Sequence, residues 1–248
     1  MREPGFENQE SKIENVDRSP RHGNQGDRAP APAAPAIPAS LTIAVSRETG
    51  SHGGTIAHRA ARKLSWTVYN QELLEYIAQE GAFRQGVREN QTPAAAEWAE
   101  HHLKLLLREQ KLSPHPSISE LARVVLALGA QGECVLIGRG AGRILPAEST
   151  LDVRIIAPLP DRIAYMSQRL RLSLEEADEE VKQRDRQRAE FIVTHFHRQP
   201  ADMYQYDLIL NSSHLGEEVC AELIAQAARA KLATRERNGG QWLSQGGA

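Results

Sequence analysis

The chain is poor in cysteine and in aromatic side chains. Its only two cysteines, Cys134 and Cys220, stand far apart in 248 residues, outside any Cys-x-x-Cys or Cys/His ligand spacing. That excludes a disulfide framework and a structural zinc site, and it fits a reducing compartment. Charge of one sign is also missing: 30 Lys and Arg against 32 Asp and Glu leave a formal net charge of −2. No bulk positive field is available for sequence-independent DNA or RNA binding, so any polyanion site has to be local. No apolar run approaches the roughly 18 to 20 residues that span a bilayer. The opening MREPGFENQE lacks a basic-then-apolar signal pattern. The expectation is a cytoplasmic protein with no membrane association.

What is present is segregated along the chain. The first forty residues hold six of the thirteen prolines and almost no large apolar side chains. Such a segment buries too little surface to offset its ordering entropy. Residues 1–40 therefore read as a disordered Pro/Ala-rich tail, residues 41–232 as one domain without an internal repeat, and residues 233–248 as a flexible C-terminal tail.

Within the domain, short apolar runs at 41–45, 66–69, 134–137, 153–157 and 206–210 alternate with helix-like segments. Residues 71–128 look mostly helical, with Leu121, Val124, Val125 and Leu128 at helical spacing. A charged helix is expected over 174–191, and Leu215, Val219, Leu223 and Ala227 line one face of a closing helix. This alternation predicts an α/β fold whose parallel sheet is covered on both faces.

In such sheets ligands bind beyond the carboxyl ends of the strands. The loop after the first strand, SRETGSHGG at 46–54, is rich in glycine, so backbone N–H groups can converge, and the helix behind it offers its positive end to a phosphate. The third run leads into Gly138-Arg139-Gly140, which sets a guanidinium suited to bidentate phosphate contact among small residues. The last run leads into Asn211-Ser212-Ser213. Taken singly, each has a plainer reading. The first loop serves as a tight connection, and Arg184, Arg186 and Arg188 form a solvated helix face with i,i+4 pairs. His101-His102 and His195/His197 invite a metal reading, but adjacent helical histidines point to different faces.

Taken together, six segments resemble the cytidylate kinase-like proteins, a branch of the P-loop nucleoside monophosphate kinases. They are IAVSRETGSHGG (43–54), WTVYNQELL (66–74), VLIGRGA (135–141), IIAPLPDRI (155–163), RDRQRAEF (184–191) and YDLILNSS (206–213), in the family's order. The resemblance implies a P-loop three-layer fold with a five-stranded parallel core, a helical insertion that binds the acceptor nucleotide, and a mobile lid carrying arginines. It further implies phosphoryl transfer from ATP with Mg²⁺ to a nucleoside monophosphate, CMP or dCMP before others. Ser46, Arg47, Gly50, Ser51, His52, Gly53, Gly54 and Thr55 would form the ATP-binding loop, with the Thr55 hydroxyl toward Mg²⁺. Arg47 and Arg139 would hold phosphate, Arg184 and Arg188 would close from the lid, and Asp185 would orient a lid arginine or the acceptor. Asp207 is expected to brace the last strand. An amphipathic insertion would also suit a homodimer.

The departures matter equally. A complete P-loop reads GxxxxGK[ST], yet none of the eighteen glycines is followed by lysine. Gly53 occupies the lysine's place, His52 stands where the family has glycine, and Asn70 replaces an aspartate. Three roles are open to His52: a tolerated surface substitution, a protonated phosphate ligand replacing the lysine, or a mark of lost ATP binding. Two rivals to the kinase follow, a catalytically impaired nucleotide sensor or scaffold, and a structural domain whose tail at 1–40 is the working interaction arm.

Overall fold

The computed structural model describes residue 38, residues 40–89 and residues 91–245. The chain divides into two units, Met1–Ala34 and Pro35–Ala248, and the elements below belong to the second. The expected tail at 1–40 lies outside the described residues, except for positions 38 and 40.

Five parallel strands form one sheet in the order β2-β3-β1-β4-β5. They are β1 (Thr42–Arg47), β2 (Thr67–Tyr69), β3 (Cys134–Ile137), β4 (Thr150–Ile156) and β5 (Leu208–Asn211). The central three are almost wholly buried, as expected of strands covered on both faces. Alternation divides their side chains between two cores. Ile43, Val45, Val135, Ile137, Val153 and Ile155 pack under α1 (Gly53–Leu64) and the closing helix α9 (Ser212–Gln245). Ala44 and Leu136 face the opposite core.

That second core is built mainly by the insertion after β2. It comprises four helices, α2 (Gln71–Gln79), α3 (Gly81–Glu89), α4 (Pro93–Arg108) and α5 (Pro116–Gln131). Their starts are written locally: the Asn70 side chain accepts from the Leu73 N–H at 2.9 Å, the Thr92 hydroxyl from the Ala95 N–H at 3.2 Å, and Pro93 and Pro116 occupy first-turn positions. Asn70 is thus a helix cap, a task an amide performs as well as a carboxylate. A short helix α6 (Ala141–Ile144) follows β3, and α7 (Leu159–Leu170) follows β4. The lid helix α8 (Leu174–Phe196) starts with a capping box of Ser173 and Glu176, and packs on α7 through Met166, Ala177 and Val181.

The closing helix turns a different face inward from the one its large residues suggest. Leu215, Val219 and Leu223 are 38%, 48% and 37% exposed, whereas Cys220, Ala221, Ile224, Ala225 and Ala228 are fully buried. The reason is closeness: small side chains meet Ala57, Ala60 and Ala61 of α1, and large ones would hold the helices apart. The helix breaks at Gly216, whose φ of 74° is not helical, and its backbone runs on to Gln245. Residues 246–248 lie outside the described residues.

Candidate functional site

The loop between β1 and α1 is fastened by its own side chains. The Glu48 carboxylate accepts from the Ala157 N–H at 3.2 Å, and the Ser51 hydroxyl donates to Glu48 O at 2.9 Å. Ser212 clamps it from the other side by donating to Ser51 O at 2.8 Å. With Gly50 at φ 82° and His52 at φ 57°, the chain turns sharply into α1. Helix α1 has no side-chain cap and no acidic residue in its first turn. Its leading N–H groups and positive dipole end are thereby left for an anion.

His52 points to protein partners. Its Nδ1 lies 2.7 Å from Glu217 Oε1, and its ring sits 3.8 Å from that of Tyr165. The imidazole thus links α1 to α7 and α9. The Ser51 hydroxyl is likewise occupied by backbone carbonyls. Thr55 is exposed at the start of α1.

Beside the loop, between the sheet face and α8, lies a cavity of about 340 Å³, within the range of small-molecule sites. Of the residues singled out in the sequence, Ser46, Arg47, Arg139, Asp185 and Arg188 line it; Gly50, Ser51, His52, Gly53, Gly54, Thr55 and Arg184 do not. The expected set therefore falls into two neighbouring parts, the glycine-rich loop and a cavity. Arg184 stays on the outer face of α8, with its Nε 2.5 Å from Glu180.

Five arginines line the cavity: Arg47, Arg139, Arg143, Arg154 and Arg188. Arg188 Nη1 donates to the Thr49 hydroxyl at 2.7 Å. Arg139 pairs with Glu75 and lies 4.7 Å from the centre of the Phe191 ring, yet its buried Nε has no hydrogen-bond partner among the described residues. Arg47 reaches only Gln71 Oε1, at 3.4 Å, and has no carboxylate partner among the described residues. Burial, reinforced by Arg188 and Arg139 and opposed by Glu72, pushes the Arg47 guanidinium down to about 10. Burial likewise lowers Arg188. Like charges gathered in a partly desolvated place are destabilising until an anion joins them.

Asp185 organises this end. Its Oδ1 accepts from the Thr49 N–H at 2.8 Å, and its Oδ2 from Arg162 Nη1 at 2.6 Å. Arg162 also donates to Thr49 O and Ala157 O. The opposite wall is a polar cluster that the sequence did not single out. Arg143 pairs with Asp152 and with Gln205, and both Arg143 and Arg154 lie over the Tyr206 ring. Burial pushes Asp152 up to about 7 even though the adjacent Arg143 pulls the other way. Asp207 braces β5 as expected: its carboxylate accepts from the Asp152 N–H at 2.9 Å and from Lys231 at 2.8 Å.

Asp152 and Arg154, isolated polar residues of β4, gave no periodic signal, and Arg162 stood within the 155–163 segment without being singled out. Arg143 was the accessible one, one residue beyond the Gly138–Gly142 loop. Among the described residues no cluster of three His, Cys, Asp or Glu is placed to hold a metal. The Thr55 hydroxyl, the side chain the sequence offered to magnesium, is exposed and stands outside the cavity lining.

Comparison with known proteins adds an independent finding. A family model described as cytidylate kinase-like matches residues 42–214. A solved structure of an uncharacterized protein from Eubacterium ventriosum shares the fold, with a TM-score of 0.54 at 18% identity, covering 77% of this chain and 99% of that one. Shikimate kinase from Bacteroides thetaiotaomicron aligns with a TM-score of 0.42 at 14% identity over 78% of this chain and 98% of its own. TT1252 from Thermus thermophilus aligns at 0.44 and 18% identity, over 77% and 97%. No curated protein matches the chain.

Proposed function

Because the chain belongs to the cytidylate kinase-like family, we propose that it transfers the γ-phosphoryl group of ATP to a nucleoside monophosphate, with CMP or dCMP the preferred acceptor. The observation that carries this reading is the convergence of Arg47, Arg139 and Arg188 on one cavity next to an uncapped, glycine-rich helix start. Phosphoryl transfer asks for positioning and charge neutralisation rather than covalent catalysis. In this reading the N–H groups at the start of α1 hold the donor phosphates, Arg139 and Arg188 hold the acceptor phosphate, and Arg47 serves phosphate from between them. An oxygen of the acceptor phosphate bonds to the γ-phosphorus as the bond to the β–γ bridging oxygen breaks, and ADP leaves with the electron pair. Magnesium, when bound, supplies charge neutralisation on the donor. Thr49 and Asp185 keep α8 seated on the donor loop, which shields the transfer from water.

Both cysteines are free and buried, and no described helix is long and apolar enough to cross a membrane. The rival reading, a nucleotide sensor without turnover, draws on the missing lysine after Gly53. A coupled ADP-release assay with MgATP and CMP, dCMP, UMP, AMP and GMP, beside a calorimetric ATP titration, separates the two. Acceptor-dependent release supports the kinase. Binding of ATP with no release under any acceptor overturns it in favour of the sensor.

A further inference from the structure

The P-loop lysine is absent, and the structure offers one cation in its place. A Cβ added at Gly53, the lysine's position, would stand 2.5 Å from Arg47 Cβ and 3.0 Å from its Cγ. The stem of Arg47 thus already fills the space where a side chain at 53 would begin. At the far end of the same side chain, a Cβ at Gly138 would overlap Arg47 Nη1. Two glycines, one on the donor loop and one on the loop after β3, therefore leave a groove in which Arg47 lies. Its tip reaches the cavity between them.

Two other arginines of the cavity wall have carboxylate partners: Arg143 pairs with Asp152, and Arg154 Nη2 lies 3.7 Å from Glu48 Oε1. No lysine lines the cavity, and His52 is held by Glu217 and Tyr165. Arg139 and Arg188 reach the cavity from the β3 loop and from the lid, and Arg188 is engaged with Thr49. Arg47 alone rises from the strand that precedes the donor loop, without a carboxylate partner among the described residues.

We propose that Arg47 is the catalytic cation of this site and replaces the P-loop lysine, its guanidinium bridging donor and acceptor phosphates across the groove formed by Gly53 and Gly138. This rests on the kinase reading above. Even lowered to about 10, the group stays charged at neutral pH. A planar guanidinium can engage oxygens of two phosphates at once, which an ammonium group does less well.

The test uses the full chain in four forms: wild type, Arg47→Gln, Arg47→Gly, and the exchange Arg47→Gly with Gly53→Lys. Circular dichroism and melting temperature are recorded for each. Arg47→Gln should lower kcat for acceptor phosphorylation at least 100-fold and weaken calorimetric MgATP binding about 10-fold or more. The exchange variant, which opens the groove and returns a cation from position 53, should recover at least 10-fold in kcat over Arg47→Gly. A folded Arg47→Gln with kcat within two-fold of wild type overturns the assignment, as does a folded exchange variant no better than Arg47→Gly. If the wild type binds MgATP without turnover, the kinase reading fails while the assignment is still decided by binding: weaker binding by Arg47→Gln upholds a phosphate role, and equal binding overturns it. A wild type that neither binds nor turns over MgATP overturns both.

Discussion

Arg162 donates to Asp185 at 2.6 Å, and this ion pair joins α7 to α8 directly behind the donor loop. Arg162 is only 8% exposed and has a second carboxylate, Glu48, 3.4 Å from its Nε, while Asp185 is part-buried. Asp185→Ala should lower unfolding stability by about 1–3 kcal/mol, the usual cost of removing one partner of a charged hydrogen bond while a second remains. Asp185→Asn keeps an acceptor and should cost less. Urea denaturation of both variants checks this, and a loss under 1 kcal/mol for Asp185→Ala would contradict the joint.

Arg139→Ala and Arg188→Ala should each reduce kcat by 10² or more, about 2.7 kcal/mol of transition-state stabilisation. Arg184→Ala, which loses only an outer pair with Glu180, should change kcat by less than ten-fold. Steady-state kinetics on the three variants decides the ordering. Equal losses in all three would mean that Arg184 swings into the site during turnover.

His52 offers a contrast. Its pair with Glu217 is about a third exposed on both sides, so it contributes roughly 0–1 kcal/mol. Its left-handed φ of 57° costs about 1 kcal/mol that glycine avoids. His52→Gly should therefore leave both stability and turnover near wild type. A large loss of turnover with normal folding would show that the imidazole serves the phosphates after all.

Asp152 makes stability depend on pH with an unusual sign. The unfolded chain releases this proton near pH 4, while the folded chain holds it to about 7. Between these values the folded state binds more protons, so stability falls as pH rises. The penalty is absent below about pH 4 and complete above about pH 7. The stability difference between wild type and Asp152→Asn, followed by urea unfolding from pH 4 to 8, should move against the wild type by on the order of a few kcal/mol. A difference that stays flat would place the carboxylate in the ordinary range.

Much of the architecture was legible because buried parallel strands are continuous apolar runs. The 134–137 run became β3 (Cys134–Ile137) residue for residue, and the other four strands fell within a few residues of their expected places. The sharp turn into α1 was legible from its glycines, and the place of Arg139 at the cavity from its loop. The inward face of α9 was not, because hydrophobicity follows the large Leu215, Val219 and Leu223 while close helix packing selects Cys220, Ala221 and Ala228. Nor was the fate of His52, which depends on Glu217 and Tyr165, residues 165 and 113 positions away in the chain. The wall of Arg143, Asp152 and Tyr206 assembles from three separate elements, and only the folded chain brings it together.

The most direct measurement follows the label of γ-³²P ATP in a single turnover with CMP and magnesium. The account predicts that the label appears in CDP, at a rate that falls at least 100-fold in Arg47→Gln. Label that remains in ATP, or that appears only as inorganic phosphate, would contradict it.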